Sequence, residues 1–267
     1  MKKYFSVFRI RFINGLQYRA VLFFTLAARF AWGFMEVLAY TALYRSGYAG
    51  ASMEYSQTVS YMWMQQVLFV LFSVVFSDGD IYSAIGSGSI AYEMVRPMDL
   101  YGRWFCQSAA NRVSFTLINA LPVLVVACII PQPYRMTLPV GAGQFGLFLV
   151  SMVLALGVTV AFAMLMYVSL FYTLSQRGVR IIVTAVTSFL SGGVIPLPFF
   201  PAQVLAVVEL LPFAAMQNMP LRIYSGNIAG SSAVYGVLFQ LFWLVVLVFL
   251  GRLWMGRAQK KVIVQGG

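Results

Sequence analysis

From residue 145 to residue 172 the chain carries no charged side chain. A helix over that run is long enough to cross a bilayer, whose hydrocarbon needs about 20 apolar residues. A helix apolar on every face is either buried in the core of a large protein or spans a membrane. Five further apolar stretches complete the pattern, so spans are expected near 20–43, 58–77, 113–130, 145–172, 180–195 and 232–254. The expected fold is all-α: a polytopic membrane protein with six transmembrane helices, in one membrane domain over residues 1–267.

Composition agrees. Of the 267 residues, 61% are apolar or aromatic and only 9% are charged, with a mean hydropathy of +0.84. Soluble domains carry about a quarter charged residues. The formal charge of +11 reads as topology rather than nucleic-acid binding, because the basic residues cluster beside apolar runs. With the N-terminus inside, the cytoplasmic segments hold Lys2, Lys3, Arg9, Arg11, Arg19, Arg96, Arg103, Arg112, Arg177, Arg180, Arg252, Arg257, Lys260 and Lys261. The outer loops hold only Arg45, Arg135 and Arg222. The positive-inside rule therefore places both termini in the cytoplasm.

Residues 4–18 repeat helically, with Phe5, Phe8, Phe12, Ile13 and Leu16 on one face. A basic, aromatic helix of this kind is expected over 1–19 in the membrane interface, as a simple anchor or as an elbow bracing a moving domain. Lys2 and Lys3 resemble the start of a signal peptide. The amphipathic stretch that follows them argues that the first apolar run stays as a transmembrane helix.

Histidine is absent, which removes imidazole catalysis and the usual zinc sites. Cys106 falls in the expected cytoplasmic connection and Cys128 near the outer end of the expected third span, so no disulfide is expected. Asp78 and Asp80 form the one close acidic pair, too little for a metal-dependent enzyme. No catalytic, cofactor-binding or metal-binding residues are expected in this chain.

Three regions are candidates for function. The longest cytoplasmic connection, 78–112, has a short apolar face at Ile81, Tyr82 and Ile85, ended by Gly86 and Gly88 and, further on, by Pro97. It reads as a docking surface for a partner or as an ordinary interfacial loop. Glu93 and Arg96, three apart, are placed to be helical neighbours. Arg29 and Glu36 are ionisable groups deep within the expected first span, about two turns apart on one face. Each is expected to meet a partner on another helix, as a polar interface lock or as a cavity lining. Finally, the fifth span ends at Gly192 and is followed by Pro196, Pro198 and Pro201. Irregular backbone at membrane depth must be lined by protein or water, so 195–231 reads as an outer gate or a loop cap.

The run Ile85-Gly86-Ser87-Gly88-Ser89-Ile90-Ala91-Tyr92-Glu93-Met94-Val95-Arg96-Pro97-Met98-Asp99-Leu100 resembles a segment of type-2 ABC exporter membrane subunits. It is most similar to the daunorubicin-resistance-like subgroup. The segment Ile195-Pro196-Leu197-Pro198-Phe199-Phe200-Pro201 is similar to that family's outer re-entrant hairpin. The resemblance implies a permease subunit of a bacterial inner-membrane exporter. Such subunits pair with a second, identical or homologous permease. They rest on a separate P-loop ATPase through a coupling segment, here Asp80, Ile81, Ile85, Gly86, Ile90, Glu93, Arg96 and Pro97. This chain lacks a Gly-x-x-x-x-Gly-Lys-Ser/Thr loop, so ATP and Mg would sit on the partner. The many methionines would suit a lipid-like or drug-like amphipathic substrate, but such residues are more often only lipid-facing and core filler. A stand-alone secondary transporter and a membrane scaffold remain the alternatives.

Overall fold

The computed structural model describes residues 2–15, 20–47, 52–74, 78–139, 141–173 and 176–260. Leu16 and Arg19, at the end of the expected interfacial helix, and Lys261 lie outside the described residues. Among those described, every regular element is helical: α1 (Lys2–Gly15), α2 (Ala20–Arg45), α3 (Tyr55–Phe72), α4 (Gly79–Gly86), α5 (Ile90–Met94), α6 (Leu100–Ile129), α7 (Ala142–Ser169), α8 (Gln176–Leu190), a 3-10 turn (Leu197–Phe199), α9 (Ala202–Val208), α10 (Asn218–Tyr224) and α11 (Gly230–Gln259).

Each expected span overlaps one of these helices, but α8 ends at Leu190, short of residue 195, and residues 75–77 of the second lie outside the described residues. Three of them, α6, α7 and α11, are long and apolar enough to cross a membrane. Their outward faces carry Leu117, Leu121 and Ile129 on α6 and Leu238, Phe242, Val245 and Phe249 on α11, all exposed. So much apolar surface around a helical core is the arrangement lipid requires, not water. The chain is a membrane protein. The other three helices are less apolar or shorter: α2 carries Arg29 and Glu36, α3 carries Gln65 and Gln66, and α8 has 15 residues.

Local chemistry sets the helix limits. Glu54 and Gln57 form a reciprocal capping box at the start of α3. Asp99 caps α6 by accepting from the Gly102 N–H at 2.8 Å. That cap corrects one expectation: the helix of the third span begins at Leu100, well before residue 113. Arg112, expected in the cytoplasmic connection, is instead fully buried within α6. Its guanidinium donates to the Ser73 carbonyl at 2.5 Å, beyond the last turn of α3.

The helices pack as one bundle. α7 and α11 lie side by side and run in the same direction. Leu244 closes on Gly157, where an added Cβ would meet Leu244 Cδ1 at 3.0 Å. Buried Gln240 joins this pair to the outer segment. It accepts from Ser151 Oγ at 2.8 Å and donates to the Ser151 and Ala215 carbonyls at 3.2 and 2.9 Å. Polar side chains of this kind hold helices together where lipid offers them nothing better.

α1 departs from a free interfacial helix. It lies along the first half of α6, with Tyr4 beside Gly102 and Gly15 against Ser114. A Cβ at Gly15 would overlap the Ser114 side chain. Gly15→Val is therefore expected to cost on the order of 1–3 kcal/mol of α1 docking. The check is faster amide exchange in α1 with α7 unchanged; unchanged protection of α1 would refute this packing.

Candidate functional site

Two sites emerge, one just beyond the end of α3 and one along its length. At the basic end, α4 and α5 form a small platform against α6 and α7. Asp78 starts it. Its backbone N–H donates to the Tyr167 hydroxyl at 2.8 Å. Its carboxylate accepts from Gln107 and Asn111 at 2.9 and 2.8 Å, and from the Asp80 N–H at 3.2 Å. Burial pushes the Asp78 carboxyl up from its ordinary value, and the Gln107 hydrogen bond opposes that shift. With three donors aimed at it, the carboxylate acts as a structural anchor rather than an open acid.

The platform's apolar underside corrects the expected docking set. Ile81 is only 1% exposed and Ile90 is also buried. Both pack into a cluster with Leu100, Trp104, Met164 and Tyr167. Ile85 is half-buried against the same cluster. A short amphipathic helix on a membrane protein has two apolar neighbours to choose from, and here it chose the core. Glu93 also differs from expectation. It pairs with Arg103 and accepts from Trp104 Nε1 at 2.8 Å, both on α6, rather than pairing with Arg96. Asp80 is exposed and forms an ion pair with Arg11 of α1. Lys3 donates to the Pro97 carbonyl at 3.3 Å.

What remains outward is a compact knob. Tyr92 is 80% exposed and Val95 84%, with Met94, Arg96 and Pro97 also exposed. Gly86 and Gly88 flank it. Gly88 has φ +72°, which lets the chain turn sharply between α4 and α5 at no steric penalty. The knob is thus apolar outside and held from beneath by a carboxylate anchor, an ion pair and a packed isoleucine floor.

The second site is a polar seam along α3, running from its last turn toward its start. The Arg29 guanidinium lies 3.3 Å above the Phe69 ring of α3, a cation–π contact that partly offsets burial. Glu36 is buried and accepts from Trp32 Nε1 at 2.7 Å and from Gln66 Nε2 at 3.0 Å. Each of these two groups does find its partner on a neighbouring helix. A neighbouring face of α3 meets the segment after α8. Gln65 Nε2 donates to the Gly193 carbonyl at 3.1 Å, and the Tyr61 hydroxyl to Asn218 Oδ1 at 3.3 Å. Among the described residues, buried Gln65 Oε1, Gln66 Oε1 and Asn218 Nδ2 have no hydrogen-bond partner.

The outer segment folds onto this seam. Gly192 has φ +83°, and an added Cβ would stand 3.1 Å from the Tyr61 hydroxyl. Both facts demand glycine there. Pro196 and Pro198 are buried and Pro201 is exposed. The Pro198 carbonyl accepts from Ser52 Oγ at 2.7 Å. Further out, Arg222 binds Glu209 at 2.5 Å and Asn227 at 2.7 Å. Cys106 and Cys128 are both free thiols.

The Asp78 anchor, the Glu93–Arg103 pair and the Gln65–Gln66 contacts lie beyond what sequence reasoning found. A signal existed for the last, since two adjacent glutamines in an apolar run must each find a partner. No protein-family model matches the chain, and no curated protein matches it significantly.

Asp78→Leu would strand the Gln107 and Asn111 donors in a buried site. A loss of about 1–3 kcal/mol is expected for two orphaned amides, read as a lower thermal midpoint in detergent. A wild-type midpoint would remove the anchor role.

Proposed function

We propose that this chain is the membrane subunit of a type-2 ABC exporter in the bacterial cytoplasmic membrane. Six spans carry it across, with α2, α3 and α8 joining α6, α7 and α11, and both termini face the cytoplasm. It pairs with a second permease, identical or homologous. A separate P-loop ATPase, which holds ATP and Mg, supplies the energy to move an amphipathic or lipid-like substrate outward.

The observation that carries this reading is the α4–α5 platform. It is an exposed apolar knob on a braced base, connected to α6 through Glu93–Arg103 and to α7 through Asp78–Tyr167. A force applied to Val95 or Tyr92 reaches two spans at once. That is what a coupling element must do, since a partner shifts a conformational balance only through differential contacts. The contact set within 80–97 is accordingly Tyr92, Met94, Val95, Arg96 and Pro97, with Ile81 and Ile90 as its support. The outer segment over the Glu36–Gln66–Gln65 seam then serves as the outer gate.

One observation favours a second reading. Glu36 is a buried acid held by two neutral donors and, among the described residues, by no ion pair, as a proton-carrying site in a stand-alone secondary transporter would be.

Mild-detergent purification from the native host, with mass spectrometry of co-purifying chains, separates the two. An ATPase at near-equal stoichiometry is expected. Val95→Asp together with Tyr92→Ala should reduce its recovery about tenfold, the scale of one lost hot spot of about 1.4 kcal/mol. Ile81→Asp should instead lower the yield of folded protein, because it buries a charge. Full ATPase recovery with the Val95/Tyr92 double variant would overturn the docking assignment. Recovery of the chain alone would favour the secondary transporter.

A further inference from the structure

Between α1, α6 and α11 lies a cleft of about 390 Å³. Phe105, Leu244 and Val248 line it, Tyr101 forms part of its wall, and Arg252 borders it. Leu244 and Arg252 are eight residues apart on α11, so the cleft extends about 12 Å along that helix. Its walls are almost wholly apolar, and the charge is gathered at one end.

Arg252 sits where the uncharged run of α11 gives way to basic residues, with Arg257 and Lys260 following. That is the level at which a bilayer changes from acyl chains to headgroups. The guanidinium is exposed and stands 5.7 Å from the Tyr101 ring centroid. Among the described residues, no hydrogen bond or ion pair engages its N–H groups. The flanking residues Leu241, Val245 and Phe249 are exposed and apolar, so an occupant enters from lipid rather than from water.

We propose that this cleft holds one phospholipid, with an acyl chain along Phe105, Val248 and Leu244 and its phosphate on Arg252. The planar guanidinium fork matches phosphate oxygens, and a phosphate at the end of an apolar slot describes a lipid, not a free ion. Asp99 adds a condition. Its carboxylate caps α6 at Gly102, itself a lining residue. An amine-bearing headgroup is therefore compatible with the site, and the recognised element is phosphate rather than net negative charge. The proposal depends on the membrane setting alone and is independent of any transport role.

The full-length chain in detergent is titrated with phosphatidylethanolamine, phosphatidylglycerol and diacylglycerol of matched chains, and read by native mass spectrometry. One phospholipid per chain is expected for both headgroups, with diacylglycerol at least tenfold weaker. Arg252→Gln should reduce retention about tenfold, while Arg257→Gln, one turn further along and outside the cleft, should not. Cys106 lines the cleft and Cys128 does not, which provides a second readout. Added phospholipid should slow maleimide labelling of Cys106 at least fivefold and leave Cys128 unchanged, and Arg252→Gln should abolish that protection. Equal losses from Arg252→Gln and Arg257→Gln would mean diffuse surface charge and overturn the site. So would diacylglycerol binding equal to phospholipid, or Cys106 labelling indifferent to lipid.

Discussion

Lipid cannot hydrogen-bond, and that one deficiency organises this structure. A soluble protein can leave a stray amide to water. Here each polar group at membrane depth must find its partner within the chain. The consequence is visible in Gln240, which spends its carbonyl on Ser151 and its amide on two backbone carbonyls. The same demand places Arg29 on the face of Phe69 and gives Glu36 two donors. Polar side chains that would be surface decoration in water become the specific contacts that choose which helices adjoin.

The two candidate sites use this rule in opposite ways. The platform is over-determined. Asp78 has donors on both carboxylate oxygens, Glu93 has two partners on α6, and the isoleucines beneath are packed. The outer seam is under-determined, with three buried polar atoms left unpaired among Gln65, Gln66 and Asn218. Satisfied networks hold one geometry, whereas partly satisfied ones leave alternatives close in energy. The fold thus joins a satisfied network at the platform to a partly satisfied one along α3.

Much of this was readable in the chain before any coordinates. The all-helical class and the places of the long helices followed from apolar run length, because lipid imposes a minimum on it. The need for partners at Arg29 and Glu36 followed from the same solvent argument. The platform's orientation was not readable. A face made of Ile81 and Ile85 is equally apolar whether it meets a partner or its own core, and only the position of Trp104 and Tyr167 decides. Arg112 misled for a related reason. An arginine beside an apolar run counts as a topology marker, yet carbonyls freed at the end of α3 buried it. The Glu93–Arg103 pair is hidden because its members are ten residues apart with a turn at Pro97 between them, outside any helical spacing rule.

The pairing of α7 with α11 has a mechanical corollary. Two helices joined by reciprocal glutamine–serine bonds and a leucine seated on a glycine cannot slide or twist independently without breaking all of these contacts together. A shear between them would have to break all of these at once, so within the bundle the pair behaves as one unit.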